Sequence, residues 1–221
     1  SPVLWSTNGN EASTARIAEG TFVDTVTELS GDIYYLANLY AGGPPDAGLY
    51  KLPAGSQTPE LVKTFEIQTA LNGCCAGRYQ LSGVITDLQA FNGDLVFIQR
   101  ANSAERSERV VKLNLQTGEE TVLLEFDSFT EKFESLAVFN GSLYIFKHKY
   151  VNIVGFPQWE ILKSAGEPGD AVSVYSQTGG SVGVPAEIRL DTRGEMKNAA
   201  SALWFFAPDE RLGNELWRLT P

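Results

Sequence analysis

Three observations predict an all-β fold. Apolar and polar residues alternate over short runs along the chain, and helical spacing is absent. Short turns punctuate these runs, in keeping with the 21 glycines. Aromatic residues, which suit a pleated and half-buried surface, make up 11% of the sequence. With 221 residues, one domain spanning 1–221 with a sizeable core is expected. Hydrophobic residues at 43% and charged residues at 20% exclude a disordered chain.

One phrase recurs: an alternating run, a tight Gly turn, a second alternating run. It reads "TVTELSGDIYYLANL" at 25–39, "TDLQAFNGDLVFIQR" at 86–100 and "ESLAVFNGSLYIFKH" at 134–148. Asn92-Gly93 and Asn140-Gly141 sit at the centres of two-residue hairpin loops, where both positions must tolerate positive φ. Ser30-Gly31 takes that place in the first copy. A fourth copy, "AEIRLDTRGEMKNAASALWFFAPD" at 186–209, is expected to keep both strands around a swollen turn at 191–201.

A third strand follows each hairpin: "LYKL" (49–52), "RVVKLNL" (109–115), "WEILKS" (159–164) and "ELWRLT" (215–220). A fourth follows in the first three copies: "ELVKTF" (60–65), "TVLLEF" (121–126) and "AVSVYS" (171–176). Each unit is a four-stranded antiparallel meander of roughly 50–60 residues, the scale of propeller blades. A meander cannot bury both faces alone, and stacking meanders around an axis gives a continuous core. The expected architecture is a small β-propeller of four blades, with a β-sandwich as the alternative. The fourth copy lacks an outer strand, which "STARIAEG" at 13–20 would supply, closing the ring and removing the edge. "VLWSTNG" at 3–9 also reads as a third strand, so one third strand is surplus or the chain comes from a longer array.

The phrases "VLWSTNGNEASTARIAEG", "FNGDLVF", "FNGSLYIF" and "NELWRLTP" resemble bacterial repeats with a Glu-Leu-Trp, Thr-Asp-Gly, Ala-Gly-Thr pattern. Leu4-Trp5 and Glu215-Leu216-Trp217 match it, Asn8-Gly9 replaces Asp-Gly, and Ser13-Thr14 stands where Gly-Thr would be. The resemblance implies a propeller-like array in a secreted, periplasmic or cell-surface protein. It carries no catalytic residues.

Loops of a meander alternate between the two ends of the strands. The second-to-third-strand loops and the connections between units share one face. That face receives "NLYAGGPPDAG" (38–48), "QRANSAERSER" (99–109), "KHKYVNIVGFPQ" (147–158), "APDERLGN" (207–214), "EIQTALNGCCAGRYQLSG" (66–83) and "SQTGGSVGVP" (176–185). Long ordered loops carry function disproportionately, so this face is the expected site.

Cys74 and Cys75, the only cysteines, lie within one of these segments. In an oxidising compartment they are expected to form a vicinal disulfide, with Gly73 and Gly77 supplying the backbone freedom for the kink. Two free thiols or bridges to another molecule are the alternatives. A vicinal ring presents a flat, polarizable surface to a sugar or aromatic ligand, beside the donor fork of Arg78 and the amphipathic ring of Tyr79. Tyr40, Arg100, Tyr150 and Trp159 complete the candidate ligand-binding set. His148, the one histidine, reads as a surface loop residue able to hydrogen-bond a ligand. Lys147 and Lys149 oppose a cation there.

No cofactor is expected. The acidic "DERLGN" run is a weak Ca²⁺ candidate that does not match an EF-hand loop. No Gly-x-Ser-x-Gly or phosphate-binding motif occurs, and no spacing selects a pair among Asp46, Asp87, Asp209 and Glu210. The net charge of −10 opposes nucleic acid and anionic membranes. No apolar run reaches the ~20 residues of a membrane helix. The leading expectation is a secreted monomer that binds a carbohydrate or small ligand. A protein-interaction or adhesion module and a polysaccharide-active enzyme with carboxylates at the central opening are the alternatives.

Overall fold

The computed structural model describes residues 5–6, 15–16, 22–39, 46–65, 68–71, 79–82, 85–100, 107–127, 131–150, 157–178, 196–199, 202–209 and 213–219. Strands β1 (Trp5–Ser6) and β2 (Ala15–Arg16) pair with each other. Sheet I is the meander β3 (Phe22–Leu29), β4 (Asp32–Leu39), β5 (Asp46–Leu52) and β6 (Glu60–Phe65). A two-stranded hairpin, β7 (Gln68–Leu71) and β8 (Tyr79–Ser82), leads to sheet II. Sheet II comprises β9 (Ile85–Phe91), β10 (Asp94–Arg100), β11 (Ser107–Leu113) and β12 (Glu120–Asp127). Sheet III comprises β13 (Glu131–Phe139), β14 (Ser142–Tyr150), β15 (Pro157–Ser164) and β16 (Val172–Thr178). Sheet IV has three strands, β17 (Met196–Ala199), β18 (Ala202–Asp209) and β19 (Gly213–Leu219). All pairings are antiparallel, so the chain is all-β with three complete four-stranded meanders.

The hairpin turns form as their sequences require. Leu29 pairs with Asp32, Phe91 with Asp94 and Phe139 with Ser142, leaving two residues in each loop. Both residues of each loop have positive φ: Ser30 56° and Gly31 87°, Asn92 52° and Gly93 86°, Asn140 48° and Gly141 68°. This backbone twist matches the twist of the flanking strands.

The sheets stack in chain order, the first strand of each on the first strand of the next: β3 on β9, β9 on β13, β13 on β17. Three apolar layers fill the junctions. Tyr34, Leu36, Leu49 and Phe65 of sheet I meet Leu88, Leu95 and Phe97 of sheet II. Val96, Ile98 and Val110 of sheet II meet Leu136, Leu143 and Ile145 of sheet III. Tyr144, Phe146 and Ile161 of sheet III meet Met196 and Leu203 of sheet IV.

A polar contact repeats at the same place in all three junctions. Five residues before the turn stand Thr25, Asp87 and Ser135. Each accepts a hydrogen bond from the amide four residues before the turn in the next sheet: Leu88 N to Thr25 Oγ1 at 3.2 Å, Leu136 N to Asp87 Oδ2, and Met196 N to Ser135 Oγ at 3.2 Å. Every first strand is an edge strand, and its free amides need partners. Thr25 and Asp87 fall where the ladder register shifts and have no partner in it, whereas Ser135 is paired with Phe146 directly after the bulged Glu134.

Several expectations are corrected. The swollen turn expected at 191–201 is corrected: Met196–Ala199 is a strand, and Ala199 pairs with Ala202. Ala15–Arg16 pairs with Trp5–Ser6, and among the described residues sheet IV has three strands. The segment 66–83 contains the β7–β8 hairpin. Strands also extend into the segments read as long loops, because their alternation continues through polar residues. β14 reaches Tyr150 and β15 begins at Pro157, while β18 reaches Asp209 and β19 begins at Gly213. The remaining gaps at 40–45, 101–106 and 151–156 are no longer than the third-to-fourth-strand turns at the opposite end, such as 53–59 and 114–119. The excess length on the predicted face therefore lies in the connections between sheets.

Candidate functional site

The charged groups with the most buried partners gather at one end of sheet III. It is the end where first strands begin, second strands finish and third strands begin. In register across it lie Glu131 with Lys149, Lys132 with His148 and Phe133 with Lys147, followed by His148 with Trp159 and Lys147 with Glu160. Glu134 is the extra residue of the β13 bulge, between Phe133 and Ser135.

Alternation along β14 sends consecutive residues to opposite faces. Lys147 shares the face of Leu143 and Ile145, towards sheet II. Its side chain is 8% exposed, with Nζ 2.9 Å from Glu131 Oε2, 3.1 Å from Glu160 Oε2 and 4.0 Å above the Phe126 ring. Phe126 stacks on Phe133 at 5.1 Å between centroids. Phe133 N donates to the buried Glu108 Oε2 at 2.9 Å. Lys149 Nζ reaches Glu131 Oε1 at 3.2 Å. Burial raises the Glu131 carboxyl, but hydrogen bonds from Lys147 and Lys149 outweigh it and hold the group below the ordinary carboxylate value.

His148 lies on the other face with Tyr144 and Phe146. It is 5% exposed, which corrects its reading as a surface loop residue: strand pairing carries it into the sheet and under Trp159. Nδ1 is 2.7 Å from Glu134 Oε1, and Lys132 Nζ is 3.2 Å from the same oxygen. The Trp159 ring lies 5.1 Å from the imidazole and 5.3 Å from Phe146. Burial pushes the Glu134 carboxyl up, but His148 and Lys132 outweigh it and keep it below the ordinary value. The buried Trp159 Nε1–H has no acceptor among the described residues.

The candidate residues thus divide. His148 and Trp159 are in ring contact. Arg100 closes β10, Tyr150 closes β14 opposite Pro157, and Tyr79 opens β8. Cys74, Cys75, Arg78 and Tyr40 lie outside the described residues. Counted from the hairpin turns, Arg100 and His148 hold the same place in sheets II and III. Sequence reading missed Glu108, Glu131, Lys132, Glu134 and Glu160. The available signal was a charged residue at alternating positions of a strand that otherwise reads as core. Asp87, considered as a catalytic carboxylate, is engaged by the fold: Oδ2 accepts from Leu136 N and Oδ1 from Gln89 Nε2.

Chemically, the end of sheet III offers two half-buried carboxylates, Glu131 and Glu134, held below the ordinary value, an imidazole aligned by the second, and an indole edge. Among the described residues, no group of three His, Cys, Asp or Glu side chains is arranged to hold a metal ion.

No protein-family model matches this chain, and no curated protein does. Among solved structures it is similar to the β-propeller domain of the trilobed protease from Pyrococcus furiosus, with 8% identity and a TM-score of 0.45, covering 90% of this chain and 69% of that one. It is also similar to the acylaminoacyl peptidase of Pyrococcus horikoshii, with 7% identity and a TM-score of 0.49, over 93% of this chain and 32% of that one. A GH43 β-1,3-galactosidase solved with galactodeoxynojirimycin shows 9% identity and a TM-score of 0.44, over 96% and 74%. Likenesses this distant transfer no activity, substrate or residue role to the present chain.

Proposed function

We propose that this chain is a ligand-recognition module: a ring of four blades that receives a carbohydrate or small polar ligand at the end where second strands finish. The observation that carries the reading is the repeat register. It places Arg100 and His148 at one position of neighbouring sheets and Tyr150 two residues further on. Lys132 and Glu134 stand at the same end, and the Trp159 indole N–H is without an acceptor among the described residues. Aromatic rings with a few aligned polar groups are what sugar and small-ligand sites use.

Cys74, Cys75, Arg78 and Tyr79 belong to the connection between the end of β6 and the start of β9, and a vicinal disulfide in it would add a rigid contact surface. An oxidising location, secreted, periplasmic or at the cell surface, accompanies that reading. The engagement of Asp87 within the fold removes one of the carboxylates considered for catalysis.

A glycan array followed by ligand-dependent melting tests the proposal. A hit is expected to raise Tm in the wild type, and Arg100→Ala and Tyr150→Ala to weaken binding at unchanged Tm without ligand. Absence of any hit, with both variants leaving all interactions intact, overturns it.

A further inference from the structure

We infer that the two outer faces of the stack, the front of sheet I and the back of sheet IV, pack on each other within one chain. This rests on the ring reading and names the contact that closes it. At each formed junction, the residue four after the turn of one sheet lies against two residues of the next, four before and three after its turn. The covering residues Tyr34, Val96 and Tyr144 are 6%, 0% and 6% exposed. The covered pairs Leu88 and Leu95, Leu136 and Leu143, Met196 and Leu203 are all 5% exposed or less.

Sheet I repeats the covered pair as Val26 and Ile33, yet Val26 is 47% exposed and Ile33 only half-buried. Tyr50 and Leu61 continue the same face through the register Val26, Tyr35, Tyr50, Leu61, and Leu61 is 53% exposed. Sheet IV repeats the covering residue as Trp204, half-buried, with the Arg218 guanidinium 5.8 Å from its ring. Val26 and Ile33 of sheet I and Trp204 of sheet IV thus keep apolar side chains at the positions buried in all three existing junctions. An aromatic ring at the covering position, as in Tyr34 and Tyr144, matches a front face of Val, Ile and Leu. Continuity with the three formed interfaces selects sheet IV, in the same chain, as the occupant.

The test is a double-mutant cycle on the whole chain with Val26→Asp and Trp204→Ala, read by thermal melting and light scattering. Each single variant is expected to lower Tm by at least about 4 °C, and the double variant by less than the sum, in a monomer. A Tm change under about 1 °C for Val26→Asp means an open face and overturns both the closure and the ring. A dimer mass overturns them too, since a second copy then covers the face. A costly Val26→Asp that is additive with Trp204→Ala, in a monomer, overturns this contact while the ring stands, with the cover coming from elsewhere, such as β1–β2. Should either variant fail to fold, Val26→Ala with Trp204→Phe gives the same cycle with smaller shifts.

Discussion

Glu134 Oε1 stands 2.7 Å from His148 Nδ1, and the two residues meet only because Glu134 is the bulged residue of its strand. Without the bulge, the side chain would alternate to the opposite face from His148's neighbours. The pair is therefore a product of a backbone irregularity next to Ser135, which accepts from Met196 N.

Removing that carboxylate leaves the imidazole and Lys132 without their shared acceptor. Glu134→Ala is expected to destabilise by about 1–3 kcal/mol, the cost of taking the carboxylate from the buried imidazole, since Lys132 is exposed enough to be solvated. Glu134→Gln keeps an acceptor oxygen and should lose less. Urea denaturation checks the order; equal losses for Ala and Gln would mean that packing, not the hydrogen bond, matters here.

Glu131 and Glu134 both sit below the ordinary carboxylate value of 4.5 in the folded chain. The unfolded state therefore binds more protons near that pH. Their contribution to stability is complete above 4.5 and is lost as pH falls through the lower folded values. Melting between about pH 7 and about pH 3 should show a fall in Tm that Glu131→Gln with Glu134→Gln makes shallower. An identical acid limb in that variant would remove these groups from the account.

Lys147 is a buried cation between two carboxylates and an aromatic ring. Lys147→Met fills the space but takes the cation from Glu160 and leaves Glu131 with Lys149 alone, and a loss of about 3 kcal/mol, the low end for breaking a buried ion pair, is expected at neutral pH. Part of it should return on acidification, when the Glu131 carboxyl protonates. Denaturation at two pH values reads this directly; a loss that does not shrink in acid counts against the charge explanation.

The repeated junction bond gives a ranking. Asp87 presents a charged acceptor to Leu136 N, whereas Ser135 presents a neutral hydroxyl to Met196 N. Asp87→Ala should cost about 1.5–3 kcal/mol and Ser135→Ala about 0.5–1.5 kcal/mol. Amide exchange at Leu136 and Met196 tells whether each loss is local to its junction. Faster exchange spread evenly over the chain would point to general unfolding instead.

The turns were the most legible part of the fold, because Asn-Gly at both Asn92 and Asn140 requires a backbone that few other dipeptides tolerate. Strand order followed, since period-two alternation survives in a single sequence. Strand ends were less legible: Lys147, His148 and Lys149 read as a polar loop, while their cross-strand partners Glu160, Trp159 and Gln158 are close only in three dimensions. The bulges left no local signature, so the pairing of Glu134 with His148 was beyond reach. The fourth hairpin was misplaced because Ala200-Ser201 lacks the Gly that marks the other three hairpins.

The two cysteines bring the argument to a covalent test. Leu71 pairs with Tyr79, so Cys74 and Cys75 belong to the segment joining two paired strands. Adjacent Cα atoms stand about 3.8 Å apart, below the usual disulfide span of about 4.4–6.8 Å, so a ring between them demands a distorted peptide. Gly73 and Gly77 beside the pair lower the cost of that distortion. Closing the ring removes backbone freedom from the loop before any ligand arrives, which favours binding. Intact mass after alkylation is expected to show no label without reduction and two labels after it. Two labels on the unreduced protein would exclude the ring. A mass doubled before reduction and halved after it would assign the cysteines to a bridge between molecules.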